Sequence, residues 1–403
     1  MMLGLLLARA GVEVTVLEKH GDFLRDFRGD TVHASTIRLI DELGLGGRFR
    51  DLPQSRLNNV AFPSPGAGMV TIGDFASLKP PYNYIAMMPQ WDFLNFLATE
   101  AAREPTFTLL MEREATELMF DGGRVTGVRY RTRGGARGRG AEGHDAEGTL
   151  QADLVVATDG RHSVLRRAAG LQPKDYPVPF DTWWFRLPRH ASEKGAVAGI
   201  VPAFRDREAM IALFRDDYYQ MGYLAPKGTD ARIRSEGVER FRERVAALRP
   251  DLADRVGAIR SLDDLHWLDV RLDRLRRWYV DGLLCIGDAA HAMSPVGGVG
   301  INLAIQDAVA AASLLAPALL RGNVRVRELA AVERRRRMPA VVVQTVQRIL
   351  HRAVFVPLFA GRTPGPPPAL LFVVRHAPAV RRILPQLIAF GPRPEHAPGF
   401  ARR

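Results

Sequence analysis

Cysteine occurs once in the 403 residues, at Cys285, so no internal disulfide is open to this chain and a reducing, cytoplasmic compartment fits. Lysine is nearly as scarce: five residues (Lys19, Lys79, Lys174, Lys194, Lys227) among 56 lysines and arginines. No unbroken apolar run approaches the ~18–20 residues that span a bilayer, which argues against an integral membrane protein. No pair of histidines or carboxylates has metal-ligand spacing, so no metal is expected. No basic stripe with interleaved aromatics is present, so the net charge of +12 reads as arginine-biased composition rather than nucleic-acid binding. What remains is globular: 47% apolar and 25% charged residues, in a chain long enough for a large core.

Residues 1–20 pose the first question. Leu5-Leu6-Leu7-Ala8-Arg9-Ala10 offers a short apolar stretch and an Ala-x-Ala match, but the charged leader of a signal peptide is missing. Gly11 closes a short helix, residues 12–17 alternate like a strand, and Glu18 stands at the strand's C-terminal end. That order is the second half of a dinucleotide-binding βαβ unit, in which the acid accepts hydrogen bonds from ribose hydroxyls. Its first strand and glycine-rich turn, about a dozen or more residues, are expected upstream of Met1.

Further on, helices are predicted over 35–45, 91–103 (Leu94, Leu97, Ala98 and Ala101 on one face), 231–248, 299–315, 325–352 and 369–390, with a proline-rich turn at 363–368. Strands are predicted in 59–88, 107–130, 150–157, 180–224, 259–272 and 282–286, and 132–148 reads as a solvated hairpin tip or loop. Strands and helices interleave around a β-rich insert, so the fold class is α/β with a second sheet domain.

The chemistry concentrates in 283–307, LLCIGDAAHAMSPVGGVGINLAIQD. A buried strand runs into Gly287-Asp288, and a glycine-rich turn feeds a helix. Ligands of α/β sheets collect at such carboxyl ends. Asp288 can accept hydrogen bonds from a polyhydroxyl chain; Gly297, Gly298 and Gly300 admit a ligand close to the backbone. The helix amides carry partial positive charge that would stabilise a ring becoming anionic on reduction. His291 reads as a packing or hydrogen-bonding residue with only a weak case as a catalytic base, Cys285 as an inert core thiol, and Arg334–Arg337 as a solvated helix face. Trp183, Trp184, Phe185, Arg186, Tyr218, Tyr219 and Met221 lie on predicted strands; Trp184, Arg186, Tyr219 and Met221 are candidates for a substrate pocket, with sheet packing the competing role.

The 283–307 segment resembles the second FAD fingerprint of class A flavoprotein monooxygenases, the p-hydroxybenzoate hydroxylase-like group. Leu154-Val155-Val156-Ala157-Thr158-Asp159-Gly160-Arg161-His162-Ser163 resembles that group's Asp-Gly motif, which serves FAD and NAD(P)H. Glu18, with Lys19 beside it, sits where the family's ribose-binding acid belongs, Arg28 matches an arginine near the flavin, and Gln90 matches a glutamine that touches FAD. The likeness covers residues 1–350.

It implies a Rossmann-like, three-layer FAD-binding domain (1–58, 89–179 and 273–352), substrate-domain segments at 59–88 and 180–272, and a C-terminal helical tail at 353–403. It further implies that NAD(P)H reduces FAD, that a flavin C4a-hydroperoxide forms with O₂, and that a hydrophobic, aromatic small molecule is hydroxylated by a monomer or homodimer. Asp288 would hold the ribityl chain; Gly300, Ile301 and Asn302 would offer backbone donors to the flavin; Pro295 would lie beside ring and substrate. The alternatives are an FAD-dependent oxidase or reductase of the same fold, a halogenase (disfavoured by the absence of Trp-x-Trp-x-Ile-Pro), or a non-catalytic truncated fragment.

Overall fold

The computed structural model describes residues 1–24, 31–64, 68–133, 147–193, 199–215, 217–362 and 385–403, and within 60–73 the backbone alone. Arg28, most of the 132–148 loop and the proline-rich turn lie outside the described residues.

Parallel strands place the site. Val14–Leu17 pairs with Phe107–Leu110, and Val155–Ala157 pairs with Leu283–Cys285, which Tyr279–Val280 flanks antiparallel. The predicted 150–157 strand is two: Glu147–Gln151 joins the antiparallel ladder with Arg113–Asp121 and Arg124–Thr132, and Val155–Ala157 turns into the parallel pair. The apolar helix Met2–Arg9 ends at Gly11, whose φ of +82° needs glycine, and packs on helices Gln90–Ala101 and Gly300–Leu319.

The helix Gln90–Ala101 buries Phe93, Phe96, Leu97, Glu100 and Ala101. Its inward face is therefore rotated from the expected one, because the two phenylalanines, with Phe49, claim the core. Helix Gly300–Leu319 is apolar along most of its length. It is long and apolar enough to cross a membrane by length and composition, with a mean hydropathy of 1.4. It is nonetheless a core helix: 72% of that window is buried, and Asn302, Gln306 and Asp307 are satisfied inside the protein.

The middle of the chain forms a five-stranded sheet in which Phe180–Pro188 lies between Tyr218–Pro226 and His266–Leu268. Helix Asp230–Leu248 covers one face, burying Trp183, Phe185, Met221 and Tyr223 against Phe241 and Val245. The other face, with Phe180, Trp184 and Leu224, packs against Leu57, Phe75, Ile85 and Met87. A stretch over 385–390 is helical, and 391–403 runs back to the N-terminal helix, where Arg9 binds the Ala401 carbonyl and Glu42 the Ala397 amide.

Candidate active site

Three acidic residues follow strands of two parallel pairs: Glu18 after Val14–Leu17, which pairs with Phe107–Leu110, and Asp159 and Asp288 after Val155–Ala157 and Leu283–Cys285, which pair with each other. That is the edge where α/β sheets bind ligands. Glu18 accepts the His20 amide at 3.0 Å, and Lys19 is exposed beside it. The Asp159 carboxylate accepts the Val164 and Leu165 amides at 2.8 and 3.2 Å, capping a short helix, while Gly160 turns the chain at φ +83°. Arg166 on that helix is buried, pairs with Asp273 at 3.2 Å and donates to the Ala289 carbonyl, tying the Asp-Gly loop to the Gly287-Asp288 turn. Gln90 opens the helix Gln90–Ala101.

Residues 287–299 run as largely buried irregular backbone, and its polar groups need partners. Side chains of helix Val326–Leu350 supply them. Gln347 accepts the Ser294 amide and donates to the Ser294 and Val296 carbonyls, and Gln344 donates to the Ala292 carbonyl. Gly297 (φ +87°) and Gly298 (φ +60°) then swing the chain into the helix, with Pro295 accepting the Gly298 amide at the start of the turn. A Cβ on Gly298 would lie 2.3 Å from Thr31 Oγ1.

Asn302 turns out to be a brace. Its Oδ1 accepts the His33 amide (2.8 Å) and the Thr36 hydroxyl (2.9 Å), and its Nδ2 donates to the Thr31 and Gly298 carbonyls. The helix mouth is thereby clamped to strand Thr31–Val32, and the amides of Gly300, Ile301 and Asn302 are those of a first turn, which have no intrahelical acceptor. No acidic side chain sits in that turn to neutralise it. His33 is a residue that sequence reading missed. Its Nδ1 donates to the Ile388 carbonyl (2.9 Å), its buried Nε2 meets no partner among the described residues, and burial lowers its pKa to about 4.

Beneath the turn lies a fully buried charge network. Asp307 accepts the Gly287 amide (3.1 Å), His291 Nε2 (2.5 Å) and Arg336 Nε (3.0 Å); Arg336 also donates to Glu395 and Gln306. Burial alone would raise the Asp307 carboxyl, but the facing His291 and Arg336 outweigh it and hold it below its ordinary value. His291 is therefore a hydrogen-bonding residue packed on Trp278. The expected solvated face at Arg334–Arg337 holds for Arg334 and Arg337, which are exposed, and is corrected between them: Arg336 is completely buried and Arg335 binds Glu395, since an inward guanidinium neutralises Asp307 and Glu395. A lone acid in the apolar run of 300–319 was the available signal. Cys285 is buried, which pushes its thiol up to about 12 and leaves it inert.

The substrate candidates divide. Cross-strand pairs put Trp184 opposite Gly222 and Arg186 opposite Gln220 on one sheet face, where the Arg186 guanidinium lies over the rings of Trp91 (5.7 Å) and Tyr218 (4.8 Å). Tyr219 and Met221 belong to the opposite face, buried in the core under helix Asp230–Leu248, so the structure does not bring all four together. Strand alternation is the reason. The apolar cluster around Trp184 includes Val296 of the glycine turn.

The residues fit an FAD molecule: a half-buried acid at a strand end, an amide-rich helix mouth, glycines where a side chain would intrude, and an orphaned buried acceptor on His33. A family model, "FAD binding domain", matches residues 1–348. The chain is 34% identical over 398 residues to 6-methylpretetramide 4-monooxygenase of Streptomyces rimosus, covering 96% of this chain and 89% of that one. It is 26% identical to the rifampicin monooxygenase of Streptomyces venezuelae over 74% of this chain, but spans only 58% of that relative. The p-nitrophenol 4-monooxygenase structure from Pseudomonas putida DLL-E4 superposes with a TM-score of 0.72 at 20% identity, covering 97% of this chain and 95% of that one. The anhydrotetracycline hydroxylase structure from Streptomyces rimosus gives 0.68 at 24% identity, covering 96% and 73%. Family, near full-length identity and fold agree: the chain belongs to the FAD binding domain family of flavin-dependent monooxygenases.

Proposed function

We propose that the chain hydroxylates a hydrophobic, aromatic small molecule with O₂, using NAD(P)H as electron donor. The observation that carries this reading is the apolar cluster linking Val296 of the glycine turn to Trp184 of the sheet, which puts an apolar face beside the flavin-type site. The relative named for 6-methylpretetramide supports an aromatic substrate.

Bound FAD supplies the redox chemistry, reduction by a nicotinamide and activation of O₂. The protein supplies the rest. Asp288 accepts hydrogen bonds from the ribityl hydroxyls, and Glu18 accepts them from the ribose. The amides of Gly300, Ile301 and Asn302 stabilise negative charge on the reduced ring, and the Asn302 clamp keeps them aimed before reaction. Pro295, Val296, Trp184 and their apolar neighbours exclude water. Residues 59–88 and 180–272 serve the substrate, the remaining segments up to 352 serve the flavin, and the buried lone thiol suits the cytoplasm.

The test is NAD(P)H oxidation by flavin-loaded protein across a panel of aromatic compounds, with products read by mass spectrometry. Substrate-accelerated consumption with gain of one oxygen atom is expected. Consumption that no compound accelerates, with all O₂ recovered as hydrogen peroxide, overturns the reading in favour of an oxidase.

A further inference from the structure

We propose that the cleft between strand Pro173–Asp175, strand Asp273–Leu275 and helix Val326–Leu350 binds a compact diphosphate, either free or borne by a small molecule. The cleft encloses about 330 Å³ and is lined by Lys174, Tyr176, Arg274, Leu275, Arg276 and Arg337.

The antiparallel ladder sets Lys174 directly opposite Arg274. Like charges so placed repel, and a sheet gains nothing from the pairing on its own. Alternation sends Tyr176 and Arg276 to the same side as this pair, and Asp175 and Asp273 to the other, where Asp273 is already bound by Arg166. The cations then converge on one ring: Lys174 Nζ lies 5.6 Å from the Tyr176 centroid, Arg274 Cζ 5.6 Å and Arg348 Cζ 4.6 Å.

Counter-charge is short. Arg274 donates to two neutral acceptors, Gln344 Oε1 and the Tyr176 hydroxyl, both at 2.8 Å. Glu333 pairs with Arg337 at 2.6 Å and also accepts the Trp278 amide. Among the described residues, no carboxylate comes within ion-pair distance of Lys174, Arg274, Arg276 or Arg348. Burial, reinforced by Arg337 and Arg348, lowers the pKa of Arg274. Guanidinium forks match pairs of phosphoryl oxygens, so several converging on one short cleft suit a ligand with adjacent phosphates. A short cleft rather than a long stripe selects a small molecule over nucleic acid.

The experiment is calorimetric and thermal titration of the flavin-saturated protein with inorganic pyrophosphate, which keeps the FAD site filled. One saturable site is expected, with a rise in the melting midpoint. K174Q/R276Q should weaken binding at least tenfold with an unchanged flavin spectrum, and K174Q alone should raise the midpoint without pyrophosphate by relieving the repulsion. A parallel ADP titration distinguishes the source: tighter binding than pyrophosphate assigns the cleft to a nucleotide-borne diphosphate, equal or weaker binding to the free ion. The proposal is overturned if sodium chloride at equal ionic strength reproduces the shift, if no saturable binding occurs, or if K174Q/R276Q binds like the parent.

Discussion

The Asp307 carboxylate accepts the Gly287 amide at 3.1 Å although the residues lie 20 positions apart, so a core helix fixes the turn that presents Asp288. The same carboxylate is neutralised by Arg336, which in turn holds Glu395 of the C-terminal segment. Asp307→Asn removes the charge and leaves the buried Arg336 with one carboxylate. Breaking a buried pair this way costs about 3–5 kcal/mol. Urea unfolding should show that loss together with weaker flavin retention; unchanged stability would remove Asp307 from this role.

Asp288 is half-buried at the ligand edge, so its replacement should weaken flavin binding. Loss of charge-assisted hydrogen bonds worth roughly 1.5–3 kcal/mol predicts a fall in FAD affinity of about ten- to a hundredfold for Asp288→Ala. Flavin fluorescence titration measures it.

Two neighbouring glycines should respond unequally. A Cβ on Gly297 meets its nearest atom at 3.7 Å, so Gly297→Ala bears only the left-handed backbone penalty of about 1–2 kcal/mol. A Cβ on Gly298 collides with Thr31 as well, so Gly298→Ala should be the more destabilised and the poorer flavin binder. The reverse order in thermal melts would contradict the packing of Thr31 on the turn.

Acid should loosen the protein between about pH 6.5 and pH 4. Burial lowers both His33 and His351 from 6.5 to about 4. In that window the unfolded chain binds more protons than the folded one, so stability rises with pH and is lost on acidification, by at most about 1.4 kcal/mol per pH unit for each histidine. His351→Gln should flatten the pH dependence of the melting midpoint. An identical slope would show that His351 titrates normally.

Trp184 and Met221 lie on opposite faces of one sheet and predict opposite phenotypes. Met221→Ala should cost about 2–5 kcal/mol by leaving a cavity under helix Asp230–Leu248, with KM for substrate unchanged. Trp184→Ala should raise KM more than it lowers kcat. Steady-state kinetics beside unfolding curves distinguish the two.

Local sequence carried the essentials of the flavin-type site. A strand ending in Gly287-Asp288, glycines at 297, 298 and 300, and an apolar helix after them are short-range features, and backbone periodicity with glycine's freedom at positive φ makes them readable in order. Glu18 at a strand end and Asp159-Gly160 after another were legible for the same reason.

What periodicity could not reveal was which distant groups meet. Arg336 reads as one more surface arginine until Asp307 and Glu395 surround it, and Tyr219 reads like Trp184 until strand register sends them to opposite faces. Asn302 and His33 show the same limit, since their partners lie 269 and 355 positions away. The amino-acid order determined the elements and the residue types at the ligand edge. Tertiary structure alone decided which polar side chains are buried, because burying a charge or an amide is tolerable only where the fold delivers a partner to it.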